Sequence, residues 1–176
     1  SIWYNTDLSK EIVDILEKDA VENFGNQLQN SQLLFGETNK NIRNSKNSWI
    51  PTSHWIGGFL WHYIQRANRE NFLYDLTNID GEKIQFTYYD AGDYYHWHND
   101  AGLSLCRKPT SVGNSDIQNV ADDFIHKNCE SIRKLSIVVQ LSDPDEYEGG
   151  NLQIMDERGK SYIAPRTKGT ILIFDS

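Results

Sequence analysis

The feature that most constrains the fold is a series of short β-strand patterns in the second half of the chain. They alternate or are rich in β-branched residues, which is typical of half-buried strands. Permissive Gly turns, such as Glu148-Gly149-Gly150 and Lys168-Gly169, separate several of them. The pattern predicts short antiparallel strands at Lys83–Tyr89, Leu135–Leu141, Asn151–Met155, Ser161–Ala164 and Thr170–Phe174.

Two helical patterns precede these strands. The first has Asp7 or Ser9 as its N-cap and places Ile12, Ile15 and Leu16 on one face. The second runs from about Ser53 to Asn71, with apolar residues at Trp55, Phe59, Leu60, Tyr63, Ile64 and Ala67.

The region between the helical patterns, residues 25–48, is rich in Asn, Gln and Ser. It predicts a loop with one short strand near Leu33–Phe35, and a turn follows the second helix at Asp80-Gly81. Helices followed by short strands indicate one α+β domain over residues 1–176, in which the helices pack on a β-sandwich or jelly roll.

The charge balance excludes some function classes. The chain has 25 acidic and 17 basic residues and no basic run, so nucleic acid is not expected as the main partner. No apolar run is long enough to cross a membrane. Cys106 and Cys129 lack any CxxC spacing, which favours a reducing compartment and predicts a cytoplasmic location.

The chemically informative segment runs from Tyr89 to Asp100. On an extended strand His98 and Asp100 project to the same side, where an imidazole and a carboxylate supply two of the three ligands of a facial Fe(II) triad. His96 shares that face by strand parity and competes as a ligand. Taken alone, the pattern also fits ordinary polar residues at the end of a strand.

The wider pattern Tyr-x-x-Gly-x-x-Tyr-x-x-His-x-Asp is filled by Tyr89, Gly92, Tyr95, His98 and Asp100. It resembles the motif of the prolyl-4-hydroxylase-like Fe(II)/2-oxoglutarate oxygenases. The runs 133–152 and 165–176 and the helical pattern after Trp55 are similar to the same family, from about Ser53 to the end of the chain. The resemblance implies a double-stranded β-helix (jelly roll) core with N-terminal helices packed on one sheet.

The resemblance also implies roles for individual residues. His98 and Asp100 would bind iron and form the catalytic centre, Tyr89 and Gln140 would contact 2-oxoglutarate, and Tyr95 and Arg133 would face a peptide substrate. Tyr89 as a core strand residue and Arg133 as a solvated surface charge are the simpler alternatives. Trp97 is expected in the core, and the histidines His54, His62 and His126 are expected as ordinary helix or loop residues.

The implied cofactors are Fe(II), 2-oxoglutarate and O2, and the resemblance also allows ascorbate. The implied reaction hydroxylates a peptidyl residue, with proline as the main candidate, and releases succinate and CO2. The polar segment 101–130 is either a lid over the substrate or an insertion without a role. Two alternatives stay open: the same chemistry on a small molecule or another side chain, and a non-catalytic jelly-roll binding module.

The chain departs from the family pattern at its end. The second iron-binding His and the Arg or Lys that clamps 2-oxoglutarate follow the strand that ends here at Phe174-Asp175-Ser176. We expect the domain to lack its C-terminal strand, because a jelly roll ending there would expose the edge of a central strand. A degenerate domain without turnover is the alternative.

Overall fold

The computed structural model describes residues 1–31, 41–76, 83–100, 103–104 and 131–176. The strand predicted near Leu33–Phe35 and the turn at Asp80-Gly81 lie outside the described residues. So do Cys106, Cys129, His126 and most of the candidate lid.

The described residues form two helices and twelve short strands, and every strand pair is antiparallel. This confirms an α+β chain with antiparallel sheets. Within the described ranges, no helix combines the length and the apolar character that crossing a bilayer requires. In chain order, the elements are β1 Ile2–Asn5, α1 Lys10–Phe24, β2 Gln29–Asn30, β3 Arg43–Asn44, β4 Lys46–Pro51, α2 Trp55–Ala67, β5 Lys83–Tyr88, β6 Tyr94–Tyr95, β7 Leu103–Ser104, β8 Ser131–Ile132, β9 Leu135–Val139, β10 Gln153–Met155, β11 Ser161–Ile163 and β12 Ile171–Asp175.

The last strand is the centre of a three-stranded sheet with the order β1–β12–β9. Ile173 pairs with Trp3 on one side and with Ile137 on the other, and it is completely buried. The strand formed by the first residues, which the sequence patterns do not predict, covers one edge of β12. Among the described residues β9 lies at the edge of this sheet, and the expected absence of a C-terminal strand stays a prediction.

A second three-stranded sheet has the order β2–β4–β5. Its middle strand, β4, contradicts the predicted loop over residues 25–48. The sequence shows no hydrophobic pattern for this strand, because Asn47 and Ser48 are buried although they are polar. β4 pairs with β5 over its whole length, and Trp49 lies opposite Gln85.

Helix α1 begins where its N-cap predicts, since the Ser9 hydroxyl accepts a hydrogen bond of 3.4 Å from the backbone N–H of Ile12. Its predicted buried face is only partly correct. Val13, Leu16 and Ala20 are buried, whereas Ile12 and Ile15 are exposed. Both sets have helical spacing, so only the packing partners distinguish them.

Helix α2 begins at Trp55, and the Nδ1 atom of its N-cap His54 accepts from the N–H of Ile56 at 3.4 Å. Leu60, Ile64 and Ala67 are buried as predicted. Trp55 is not, because its indole N–H turns outward to the Asp19 carboxylate of α1. A π-helical turn over Asn68–Phe72 follows the helix.

The helices pack on both three-stranded sheets. One cluster joins Leu16, Ala20 and Leu60 to Ile50 of β4, and it includes side chains of β5 and β9. Because Ile50 and Ser48 point towards the helices, Trp49 and its partner Gln85 point to the opposite face of the sheet. The Gln85 side chain accepts a hydrogen bond from Arg43 of β3, and β3 pairs with β6, so this face of the sheet helps to position the candidate site.

Candidate metal centre

Strand β6 carries part of the motif, and its pairing with β3 fixes the position of the motif residues. Arg43 lies opposite Tyr95, and the N–H of His96 donates to the carbonyl of Ile42 at 2.9 Å. Beyond His96 the backbone is irregular, so His98 and Asp100 do not sit on a regular strand as predicted. They converge all the same, because His98 Nε2 lies 3.0 Å from Asp100 Oδ1.

A tight turn over residues 90–93 leads into β6. The N–H of Asp93 donates to the carbonyl of Asp90 at 2.9 Å, and Gly92 has a φ of +85°. The Asp93 carboxylate accepts from the side chain of Asn44 at 2.5 Å, and Lys46 pairs with Asp90 at 2.7 Å. The turn is thus attached to β3 and β4 and fixes where β6 starts.

Replacing Gly92 by alanine tests this turn. A Cβ atom would meet nothing within 4 Å, so the cost arises from the positive φ alone. We expect Gly92→Ala to lower the free energy of unfolding by about 1 kcal/mol, and Gly92→Asn by less, because Asn adopts this backbone region more easily. Urea denaturation measures both, and equal stability of all three proteins would show that the turn adapts.

The tautomer of His98 follows from its hydrogen bond to the backbone. Its Nδ1 atom lies 2.7 Å from the carbonyl oxygen of His96, which can only accept, so Nδ1 carries a hydrogen. In the neutral ring Nε2 then holds a lone pair, which faces the carboxylate of Asp100. Two lone pairs at this distance repel unless a proton or a metal ion lies between them.

The spacing of this pair fits a metal ion. Nitrogen and oxygen donors about 2.1 Å from an octahedral ion lie about 3.0 Å apart when they occupy neighbouring positions. His98 Nε2 and Asp100 Oδ1 have this separation. In the part of the chain that the structure describes, no group of three His, Cys, Asp or Glu residues could hold a metal ion. The described residues thus bring two candidate donor atoms together at this point.

An aromatic ring covers the imidazole. The Tyr95 and His98 rings stack with their centroids 3.6 Å apart and their planes inclined by 13°. The Arg43 guanidinium lies 4.5 Å from the centroid of the same Tyr95 ring. Burial raises the pKa of the Tyr95 hydroxyl, and Arg43 opposes this shift, so the hydroxyl stays protonated at neutral pH.

Two further predicted residues lie near the pair. Arg133 donates from Nη1 to the carbonyl oxygen of Asp100 at 3.1 Å, so it contacts the site and is more than a solvated charge. A negative charge on an ionised Tyr89 would raise the pKa of Tyr95, so the two side chains lie within electrostatic range of each other. The Tyr89 side chain is half exposed, so it is not a core residue.

Gln140 is not joined to this group by any hydrogen bond among the described residues. Its N–H donates to the carbonyl of Thr170 at 2.9 Å, and its own carbonyl accepts from Gly169 at 2.7 Å. These bonds fix the backbone where β9 meets the start of β12.

The other aromatic and histidine side chains take structural positions. The ring of His96 lies 4.7 Å from that of Tyr94, so His96 contributes its carbonyl to the site while its ring packs elsewhere. Trp97 is about half exposed, and the expectation that it packs in the core is wrong because the strand has already ended at this point. His54 and His62 belong to the helix α2 region, as predicted.

Arg43 is the site residue that the sequence patterns do not reveal. It lies in the stretch predicted as loop and has no hydrophobic periodicity around it. Arg43 and Ser45 lie two positions apart, and both are buried in the structure. This spacing of a basic residue and a serine is the only signal that the sequence offers for Arg43.

The sequence model of the 2OG-Fe(II) oxygenase superfamily matches residues 84–176, which is more than half of the chain. The chain therefore belongs to this superfamily. It is a 2-oxoglutarate-dependent dioxygenase, and its cofactors are Fe(II), 2-oxoglutarate and O2.

Among solved structures, the chain is similar to the crystal structure of a prolyl-4-hydroxylase from Pseudomonas putida. The TM-score is 0.62 at 17% sequence identity, and the match covers 99% of this chain and 80% of the other. The overall fold is therefore prolyl-4-hydroxylase-like, with the jelly roll of the superfamily. No curated protein matches the sequence.

Proposed function

We propose that the protein hydroxylates a peptidyl residue, with proline as the main candidate, and releases succinate and CO2. The observation that carries the proposal is the His98–Asp100 pair, whose two donor atoms face each other at 3.0 Å with the imidazole hydrogen held on the other nitrogen. The choice of proline follows the solved structure with a similar fold, which is a prolyl-4-hydroxylase.

In this proposal His98 Nε2 and Asp100 Oδ1 hold the iron. When bound, the metal and 2-oxoglutarate supply the oxidation of a substrate C–H bond by O2. The His96 carbonyl keeps the Nδ1 hydrogen in place, which directs the Nε2 lone pair at the metal position. Arg133 fixes the backbone at Asp100, which limits the movement of the second ligand.

The remaining predicted residues act on the organic ligands. Tyr95 excludes water from one face of the His98 ring, and its protonated hydroxyl can donate to a peptide carbonyl. The half-exposed Tyr89 donates to the far carboxylate of 2-oxoglutarate, and Gln140 is a second contact for this cosubstrate. Arg133, at the exposed side of Asp100, meets the peptide.

We also propose that residues 1–176 belong to one catalytic domain with a double-stranded β-helix core. Ile84 and Phe86 of β5 pack into the same cluster as Ile137 and Val139 of β9. This supports a single apolar face, built from both three-stranded sheets, on which the helices lie. Two widely spaced cysteines favour a cytoplasmic location.

Succinate formation tests the proposed reaction. Protein loaded with Fe(II) and 2-oxoglutarate is exposed to air with proline-containing peptides, with matched peptides in which alanine replaces proline, or with free amino acids. We expect a several-fold stimulation of succinate by the proline peptides alone, together with one added oxygen atom on proline by mass spectrometry.

The other outcomes separate the alternatives. Stimulation by free amino acids, or by the alanine peptides, would move the substrate to a small molecule or another side chain. Intact metal binding without succinate under any condition would favour the non-catalytic binding module.

A further inference from the structure

We propose that Arg43 is a positioning residue, which holds Tyr95 against His98 and thereby orients the imidazole for the metal. This inference rests on the proposed role of His98 as an iron ligand. Arg43 itself contacts neither His98 nor Asp100 through any hydrogen bond or ion pair that the described residues make. It acts through the ring that lies between.

The guanidinium is held on two sides. Its Nε donates to the hydroxyl of Ser45 at 2.8 Å, and Nη2 donates to Oε1 of Gln85 at 3.2 Å. The Ser45 hydroxyl is bonded in turn to that of Ser31 at 2.7 Å, with both groups buried. The guanidinium is thus anchored to the link between β3 and β4 and to β5, and it has little freedom to move.

Arg43 and His98 enclose the ring of Tyr95. An imidazole centred 3.6 Å from the Tyr95 centroid fills one face of that ring, so the guanidinium at 4.5 Å lies on the other face. The Arg43 and Tyr95 backbones are also paired directly across β3 and β6. The order of the stack is therefore Arg43, Tyr95, His98.

The electrostatics of Arg43 distinguish this position from an ordinary ion pair. The residue is only 7% exposed, and no carboxylate among the described residues forms a salt bridge with it. Its partners are neutral oxygens and the face of an aromatic ring, which attracts a cation through its quadrupole. A cation that makes no ion pair within the described residues is costly to bury, so its position beside the candidate site points to a role beyond stability.

Among the described residues, the imidazole of His98 has two polar partners, the Asp100 carboxylate and the His96 carbonyl. The hydrogen bond from Nδ1 to the His96 carbonyl sets the position of one edge of the ring, but it does not by itself fix the plane of the ring. Stacking on Tyr95 fixes the plane of the ring, and with it the direction of the Nε2 lone pair. Metal sites need ligands held within roughly 10–20° of their working direction.

The test compares Arg43→Met, which removes the charge and the planar group, with Arg43→Lys, which keeps the charge. Arg166→Met is the matched control, because that guanidinium also lies over a tyrosine ring, 4.6 Å from the centroid of Tyr147, away from the His98–Asp100 pair. Histidine-labelled protein reports the stack by NMR without any metal. His98→Ala assigns the signal among the five histidines.

In the wild type, the ring protons of His98 should resonate upfield, because they lie over the Tyr95 ring. We expect Arg43→Met to remove most of this shift and to weaken Mn(II) binding roughly tenfold, as other losses of supporting contacts do. Arg43→Lys should be intermediate in both, and Arg166→Met should change neither. Circular dichroism shows whether each variant folds. If Arg43→Met does not fold, the NMR shift and the Mn(II) affinity of Arg43→Lys and Tyr95→Leu decide the result.

The results separate this inference from the proposed function. If the upfield shift and the Mn(II) affinity both survive in Arg43→Met, Arg43 does not position the ring. If the stack is lost while the affinity is unchanged, Arg43 holds the ring but does not orient His98 for the metal, and the inference is overturned. If the wild-type protein binds no Mn(II) although the shift is present, the proposed iron site is wrong, whereas the Arg43–Tyr95–His98 stack stands.

Discussion

Replacing His98 by alanine is expected to abolish iron binding while leaving the fold intact. The variant loses one of the two proposed ligands, and loss of a mere supporting contact already weakens metal binding by about 10–100-fold. We therefore expect the Mn(II) or Fe(II) affinity to fall by on the order of 100-fold or more. Anaerobic titration measures it, with and without 2-oxoglutarate, whose Fe(II) chelate has a weak visible absorbance that should vanish.

The fold should survive because the His98 side chain is one-third exposed and its contacts with described residues lie within its own segment. His96→Ala is the matched control, since it removes an imidazole two residues away but keeps the backbone carbonyl that holds His98. It should bind the metal almost as well as the wild type. If His98→Ala binds as tightly as His96→Ala, the iron site lies elsewhere in the chain.

Asp100→Asn adds a second arm to this experiment. The side-chain amide can donate to the Nε2 lone pair of His98, so the apo arrangement gains a neutral hydrogen bond where two lone pairs faced each other. The Arg133 contact persists because it involves the backbone carbonyl. We expect normal thermal stability together with lost metal binding, which separates ligation from folding.

The largest effect on stability is expected from Gly57→Ala. A Cβ atom at Gly57 would lie 2.1 Å from the carbonyl oxygen of Thr52 and 2.8 Å from its carbonyl carbon. Both are backbone atoms in the segment before α2, so no side-chain rotation relieves the clash. We expect a loss of about 3 kcal/mol in the free energy of unfolding, at the upper end of overpacking in a core.

The neighbouring Gly58 provides a control of opposite sign. It lies in the same helix turn, and a Cβ atom there meets nothing within 4 Å. Alanine is the better helix former, so Gly58→Ala should raise the stability by about 0.5–1 kcal/mol. Urea denaturation of both variants compares them directly. Equal midpoints would mean that α2 can move away from Thr52 at little cost.

Local patterns in the sequence determined the elements whose signal lies in consecutive residues. Strands β5, β9 and β12 follow from alternation and β-branched residues, and Ser9 caps α1 as its position predicts. The order and spacing of the motif blocks predicted the oxygenase family, which the superfamily match confirmed. These features could be predicted because each depends on residues that are close in the chain.

Tertiary structure decided everything that depends on distant partners. Ile12 and Val13 satisfy helical periodicity equally well, but Val13 is the one that packs against the turn at Gly169. Strand β4 buries polar residues and is defined by pairing with β5, while β1 covers the edge of β12 from the other end of the chain. The stacking of Arg43 on Tyr95 likewise arises when β3 meets β6. Such contacts leave no periodicity in the sequence, because their free energy is realised only when the distant segments pack together.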